Sequence, residues 1–261
     1  MDLGLKGKNA AITGSSQGIG FAIAVALAKE GCNVALCARG RERLDRAVAE
    51  IGALGVEAHG IVADLSTEDG CRAFAEGAAE KLGGLDILVN NVGGMIPGTL
   101  DSLTPEQWST VLNVNLMAAV YTTRYALPFL RKGRAPRILN VSGVTGKQLM
   151  PGALTTTIPN AGIIAFTKLM AGELGAAGIT VNNICPGFTR TESWGPRAEA
   201  MAKVRGITPE QVRASIANQT LLGRWAEPEE IGNVAAFLVS ERNSYMTGTT
   251  VEVCGGFTRY I

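Results

Sequence analysis

Apolar residues fall along this chain in two alternating rhythms. Short runs rich in apolar and β-branched side chains occur at "NAAIT" (9–13), "NVALCA" (33–38), "EAHGIVAD" (57–64), "LDILVNN" (85–91), "RILNVSG" (137–143), "ITVNNICP" (179–186) and "TTVEVCG" (249–255). These predict strands. Between them lie longer amphipathic stretches, roughly 18–30, 41–53, 67–82, 105–131, 158–176 and 228–239, which predict helices. Mostly apolar strands separated by helices indicate a parallel sheet covered on both faces. Right-handed crossovers then give a doubly wound, mainly parallel, seven-stranded sheet in three α/β/α layers. No linker, repeat or break in composition divides residues 1–261, which read as one domain. The one long irregular region, roughly 187–226, is expected to carry one or two short helices and to act as a lid. One helix should start near "TPEQ" (208–211), where threonine can cap, proline fits the first turn and the acid suits the helix dipole.

Composition narrows the picture. Apolar residues make up 46% of the 261, enough to bury a sizeable core. Lys+Arg is 24 against Asp+Glu 23, so no basic stripe argues for nucleic acid. No apolar run reaches the roughly 18–20 residues of a membrane span, and the N-terminal stretch does not read as a signal peptide. Five scattered cysteines without a CxxC read as buried, reduced thiols of a cytoplasmic protein. With His59 as the only histidine, neither a zinc site nor a Ser-His-Asp triad is expected.

The first strand runs into "TGSSQGIG", with Gly14, Gly18 and Gly20, and then into a helix. A tight turn there needs φ freedom, and a backbone approaching a pyrophosphate leaves no room for side chains. The helix N-terminus presents its amides to the phosphates. In strand–turn–helix context this predicts dinucleotide binding on a Rossmann fold. The second strand ends in "CAR". An acid there would bind a ribose 2′-hydroxyl; Arg39 would pair instead with a 2′-phosphate, helped by Arg41 and Arg43, which favours NADP(H) over NAD(H).

These residues, with "AD" (Ala63, Asp64), "NNVG" (90–93), "NVN" containing Asn115, "NVSG" containing Ser142, and "PGFTRT" (186–191), resemble the short-chain dehydrogenase/reductase family over nearly the whole length. The chain looks most like its 3-oxoacyl-carrier-protein reductase-like branch. The resemblance implies that Gly14, Ser16, Gly18, Ile19 and Gly20 hold the pyrophosphate and nearby ribose, and that Asp64 and Leu65 flank the adenine. It implies that Asn91 and Gly93 line a cofactor ribose, and that Pro186, Gly187 and Thr191 position the nicotinamide. Asn115 would hold a water of the proton relay and Ser142 would bond the substrate oxygen. It also implies a homotetramer built on the helices at roughly 105–131 and 158–176.

The resemblance breaks at "TTTIPNAGI" (155–163). The family carries a tyrosine there, with a lysine four residues on. Counted back from "GITVNNICPG", those positions hold Thr156 and Asn160. A phenol near pKa 10 can protonate an oxygen, more readily beside an ammonium; threonine is a far weaker acid and asparagine carries no charge. Losing a positioned general acid costs on the order of 10²–10⁴ in rate. Pro159 is expected to delay the helix, with Thr157 as its cap. Lys147, on the loop after Ser142, is the nearest replacement for the charge; Tyr260 in the tail is another candidate, in trans, while Tyr121 and Tyr125 read as packing residues. Met95, Ile96, Leu149, Met150, Phe188 and Trp194 suggest a small, moderately apolar substrate. Three functions are compatible with this site: hydride transfer with an atypical proton relay, cofactor binding without turnover, or non-redox chemistry in the same pocket.

Overall fold

The computed structural model describes residues 2–150 and 152–259. Seven parallel strands form one sheet: β1 (Asn9–Ile12), β2 (Asn33–Ala38), β3 (Ala58–Val62), β4 (Ile87–Asn90), β5 (Arg137–Val141), β6 (Thr180–Pro186) and β7 (Thr250–Val253). Their order across the sheet is β3-β2-β1-β4-β5-β6-β7. The chain winds outward from β1 to β3, then crosses back to lay β4 on the other side of β1. A crevice therefore opens at the carboxyl edge between β1 and β4.

Strand side chains alternate between two cores, as the pleat requires. Ala10, Ile12, Val34, Leu36, Ile87 and Val89 face one side. There they meet the apolar stripes of α1 (Gly18–Lys29), α2 (Arg41–Gly52) and α9 (Pro228–Val239). Ala11, Ala35, Cys37 and Leu88 face the other. That side is covered by α3 (Glu68–Leu82), α5 (Ala118–Leu130) and α6 (Leu154–Leu174), with Phe74 fully buried at its centre. Tyr121 and Tyr125 pack against this second core, as expected. All five cysteines are buried and unpaired. Among the described residues no helix is long and apolar enough to cross a membrane.

Two elements depart from the sequence reading. The expected helix over 105–131 is interrupted. α4 (Pro105–Leu112), capped by Thr104 and Gln107 in a reciprocal box, passes through a π-helical turn at Asn113–Met117 before α5 begins. Such a turn carries an extra residue and changes the direction of those that follow. The second departure is α6, which starts at Leu154 with Pro159 inside it rather than after Thr157. Long-range bonding outweighs the bias of the residue before proline. The Thr155 hydroxyl donates to the Ile96 carbonyl at 2.7 Å, and the amides of Thr156 and Thr157 both donate to the Ala153 carbonyl. These bonds close a first helical turn ahead of the proline. Thr157 is not a cap, and its hydroxyl is buried without a partner among the described residues.

Between β6 and α9 the 187–226 region holds α7 (Trp194–Arg205) and α8 (Pro209–Ala217). α8 starts at "TPEQ" as expected, with the Thr208 side chain accepting from the Gln211 amide. The two helices share a small core of Ala198, Ala202, Val212, Ile216 and Trp225.

Candidate active site

The turn after β1 is built on close approaches. Gly14 and Gly18 sit at φ 61° and 60°, in the left-handed region that a side chain disfavours. At Gly20 the constraint is space: a Cβ would lie 2.4 Å from both the Asn91 side-chain nitrogen and the Gly14 carbonyl. Asn91 explains that crowding. Its Nδ2 donates to the carbonyls of Thr13 and Gly14, each at 3.0 Å, and its own amide donates to Thr13 Oγ1 at 2.8 Å. Ser15, fully buried, ties the same turn to β2 by donating to the Ile12 carbonyl and accepting from the Cys37 amide. A short polar residue at each strand end therefore fixes the loop without filling the crevice.

That crevice is a cleft of about 870 Å³. It brings together Gly14, Ser16, Gly18, Ile19, Gly20, Arg39, Asp64, Leu65, Asn91, Gly93, Asn115 and Thr191. One end is strongly basic, with Arg39, Arg41, Arg43 and Arg46 on its wall. Arg41 and Arg46 are exposed and pair loosely along α2 with Asp45 and Glu42, and Arg43 bonds Gln17. Arg39 has no carboxylate within 4 Å among the described residues. Asp64 is held below the ordinary carboxylate range, first by the Ser66 amide that bonds it and then, more weakly, by the charge of Arg39. Gln17 and Arg46 were not singled out from sequence. Arg43 and Arg46, three apart on one helical face, were the available signal for Arg46.

Asn115, in the π-turn, is clasped at both ends of its amide. Oδ1 accepts from the Gly94 amide at 2.7 Å and Nδ2 donates to the Val111 carbonyl at 2.9 Å. A Cβ on Gly93 would come within 2.8 Å of that Oδ1. Gly93 is thus required by the Asn115 contact as well as by the cleft. Thr191, at the start of the 187–226 excursion, lies over Gly18, whose Cβ would meet its methyl at 3.4 Å.

The other expected residues gather at the ends of β5 and β6, outside the lining of this cleft. Ser142 follows β5. Its Oγ lies 2.9 Å from Asn183 Nδ2, 3.0 Å from Cys185 Sγ and 3.4 Å from the Ile184 carbonyl. Burial pushes the Cys185 thiol above its ordinary value, although the Ser142 and Asn183 side chains that bond it pull the other way. Asn160 reaches back to the turn after Ser142, donating to Thr145 Oγ1 at 2.9 Å, and would lie 2.8 Å from a Cβ on Gly143. Thr156 donates its hydroxyl hydrogen within its own helix, to the Ala153 carbonyl at 3.1 Å. Lys147 forms a half-buried ion pair with Glu252 of β7, which also accepts from Thr258. Pro186 ends β6, and Gly187 packs against the Cys254 backbone so closely that a Cβ would sit 2.8 Å from its Cα. Tyr260 lies outside the described residues.

The expected apolar wall is only partly assembled. Met95 and Ile96 line the cleft, but Leu149 is exposed. Trp194 packs edge-to-face on Phe188 and on Trp225, Phe188 lies tilted on Trp225, and Met150 joins the Cys185–Cys254 cluster.

Comparison with known proteins places this geometry. A family model described as enoyl-(acyl carrier protein) reductase matches residues 14–258. A 3-oxoacyl-acyl-carrier-protein reductase of Staphylococcus aureus is 34% identical over 250 residues, covering 95% of this chain and 97% of the relative. One from Aquifex aeolicus is 35% identical over 257 residues, covering 98% and 99%. The crystal structure of L-sorbose reductase from Gluconobacter frateurii, complexed with NADPH and L-sorbose, superposes with a TM-score of 0.95 at 34% identity, with 100% of each chain covered. A short chain dehydrogenase from Burkholderia cenocepacia in complex with NADP gives a TM-score of 0.87 at 32% identity, covering 97% and 98%.

Proposed function

Because this chain belongs to the short-chain dehydrogenase/reductase family, we propose that it is an NADP(H)-dependent carbonyl reductase with an atypical proton relay. The observation that carries the reading is the cleft itself. Its glycine turn leaves space where side chains would clash, and its far end is walled by four arginines. The residues fit a dinucleotide phosphorylated on its ribose. Gly14, Ser16, Gly18, Ile19 and Gly20 offer backbone and a hydroxyl to a pyrophosphate, and the amides of a helix N-terminus suit its charge. Arg39, without a carboxylate partner among the described residues, suits a 2′-phosphate, while Asp64 and Leu65 suit an adenine. Asn91 and Gly93 would line a ribose, with Pro186, Gly187 and Thr191 at the nicotinamide end. When bound, the reduced nicotinamide would supply a hydride, which together with one proton converts a carbonyl to an alcohol and leaves the nucleotide oxidised.

This chain's own residues must then hold the carbonyl oxygen and deliver the proton. Thr156 and Asn160 stand where the family's tyrosine and lysine are expected, and their side chains already bond Ala153 and Thr145. Lys147 is engaged with Glu252 and contributes charge to the neighbourhood of Ser142 rather than a proton. Ser142 is the hydroxyl that would bond the substrate oxygen, with the proton drawn from water, while Asn115 holds the loop at Gly94. Residues 187–226 act as a lid over the cleft, within a chain that functions as one domain. Exposed Ile158 and Leu169 lie three turns apart on α6 and support a homotetramer built on α4, α5 and α6; light scattering reads that state directly.

The test is NADPH oxidation against a carbonyl panel that includes ketoses and 3-oxoacyl thioesters. Slow but substrate-dependent turnover is expected. Tight NADPH binding with no turnover on any member would favour cofactor binding without redox chemistry. On the cofactor side, Arg39→Ala is expected to weaken NADPH binding about 10- to 100-fold, the worth of one charge-assisted contact. NADH binding should stay within about twofold of its starting value, since NADH brings no 2′-phosphate to that arginine. Calorimetry with the two nucleotides decides, and equal losses for both would remove Arg39 from the 2′-phosphate site.

A further inference from the structure

Asn183 lies in the middle of β6, is completely buried, and belongs to no part of the site proposed so far. Its partner in register on β5 is Asn140, and on β7 it is Thr250. Its Nδ2 faces three acceptors: Ser142 Oγ at 2.9 Å, Thr250 Oγ1 at 3.4 Å and Cys185 Sγ at 3.7 Å. Its Oδ1 is buried with no hydrogen-bond partner among the described residues. An amide that leaves its own oxygen unsatisfied while aiming its nitrogen at a hydroxyl is set up to donate.

A serine hydroxyl has one hydrogen to give and two lone pairs to accept with. Asn183 fills one lone pair of Ser142. The hydrogen of Ser142 is then left with weak acceptors: the Ile184 carbonyl at 3.4 Å and the Cys185 thiol at 3.0 Å. A carbonyl oxygen arriving at the strand end competes only with a long bond to a carbonyl and a bond to a thiol sulfur, a weak acceptor, and with no charged group. Accepting from Asn183 also polarises the hydroxyl and strengthens the bond it gives. We propose that Asn183 is a positioning residue that makes Ser142 an obligate hydrogen-bond donor to the substrate oxygen. With Thr156 in the place of a phenol, this fixes the hydroxyl at the end of β5 in the donating sense.

The proposal rests on the reductase reading, and the experiment separates the two. Asn183→Ala removes the donor and is expected to lower kcat about 10-fold with KM and NADPH affinity little changed, the scale of a neutral hydrogen bond acting on a transition state. Asn183→Asp is nearly isosteric, but its carboxylate accepts the Ser142 hydrogen and turns it from the substrate. Its kcat is expected to fall further, and to recover as pH drops, because a protonated carboxyl can donate again. The other ionisable groups facing this region are Cys185 on β6, Glu252 on β7 and Lys147 in the turn after β5; they are shared by the unsubstituted protein, whose profile is the reference. In a Ser142→Ala background both Asn183 substitutions are expected to be silent in kcat. An Asn183→Asp protein as active as the original, with no new pH dependence, would mean the amide accepts from Ser142 and would overturn the assignment while leaving the reductase reading intact. So would a further loss from Asn183→Ala in the Ser142→Ala background. No turnover by the unsubstituted protein on any carbonyl overturns both.

Discussion

Replacing Thr156 by tyrosine and Asn160 by lysine together is expected to raise kcat by about two orders of magnitude. A positioned general acid contributes on the order of 10²–10⁴ in rate, or about 3–5 kcal/mol of barrier. The phenol supplies a proton source near pKa 10, and the ammonium one helical turn on lowers it toward the working pH. The structure sets the cost. Asn160 gives up its bond to Thr145, and a lysine must pass the turn at Gly143–Gly146, where a Cβ on Gly146 would already lie 2.7 Å from the Asn160 backbone carbon. A loss of about 1 kcal/mol in stability is expected from that bond. Thr156→Tyr alone should gain less than the pair, because an unassisted phenol stays too weak an acid at neutral pH. Steady-state kinetics beside a thermal melt reads both effects. A double variant that folds and binds NADPH but is no faster would mean that proton delivery does not limit the reaction, and that Ser142 and water suffice.

The sheet and most of its helices were legible in the sequence because their causes are local. Each strand falls inside the run that predicted it, since a strand buried between two apolar cores leaves a short continuous apolar run. α8 was legible from four residues because its cap is chemistry internal to "TPEQ". The misses share a different cause. The start of α6 was set by the bond from Thr155 to Ile96, fifty-nine residues away, against a correct local statement about proline. The π-turn around Asn115 leaves no periodic mark, because one extra residue shifts the phase of a helix without changing its composition.

The candidate site divides along the same line. Glycines at 14, 18 and 20 are demanded by a left-handed φ or by a close approach of Asn91 and the backbone, and Arg39 follows β2 directly, so these residue types stand out in the sequence. What the catalytic end does depends on where hydroxyls and amides send their hydrogens. Asn183 reads as an ordinary polar interruption of an apolar strand until β5 and β6 pair, which sets Asn140 against it and brings Ser142, two residues further on, within reach of its side chain. Thr156 reads as a possible donor until its hydroxyl is seen on Ala153. Spacing in sequence carries no information about such cross-strand and intrahelical choices, although they determine which oxygen is free to act.

Gly20→Ala is expected to weaken NADPH binding more than 100-fold and to cost about 3 kcal/mol of stability, at the upper end of what overpacking does. The added methyl would stand 2.4 Å from two atoms at once, the Asn91 nitrogen and the Gly14 carbonyl, and 3.0 Å from Ser15 Cα. Two of these are backbone and cannot rotate away. The third holds the turn in place through its bonds to Thr13 and Gly14, so moving it loosens the same loop. Relief by shifting α1 is also obstructed, because Gly232 of α9 packs against the Ala22 carbonyl so closely that a Cβ there would come within 2.7 Å. The strain must therefore fall on the turn that lines the cleft. Gly52→Ala, at the open end of α2 where nothing lies within 4 Å, is the matched control and should leave stability and nucleotide affinity unchanged or slightly improved. Denaturant melts and NADPH titrations on the two variants give the comparison. If Gly20→Ala bound NADPH as tightly as the original protein, the turn would be free to yield, and its glycines would reflect chain flexibility rather than the fit of a cofactor.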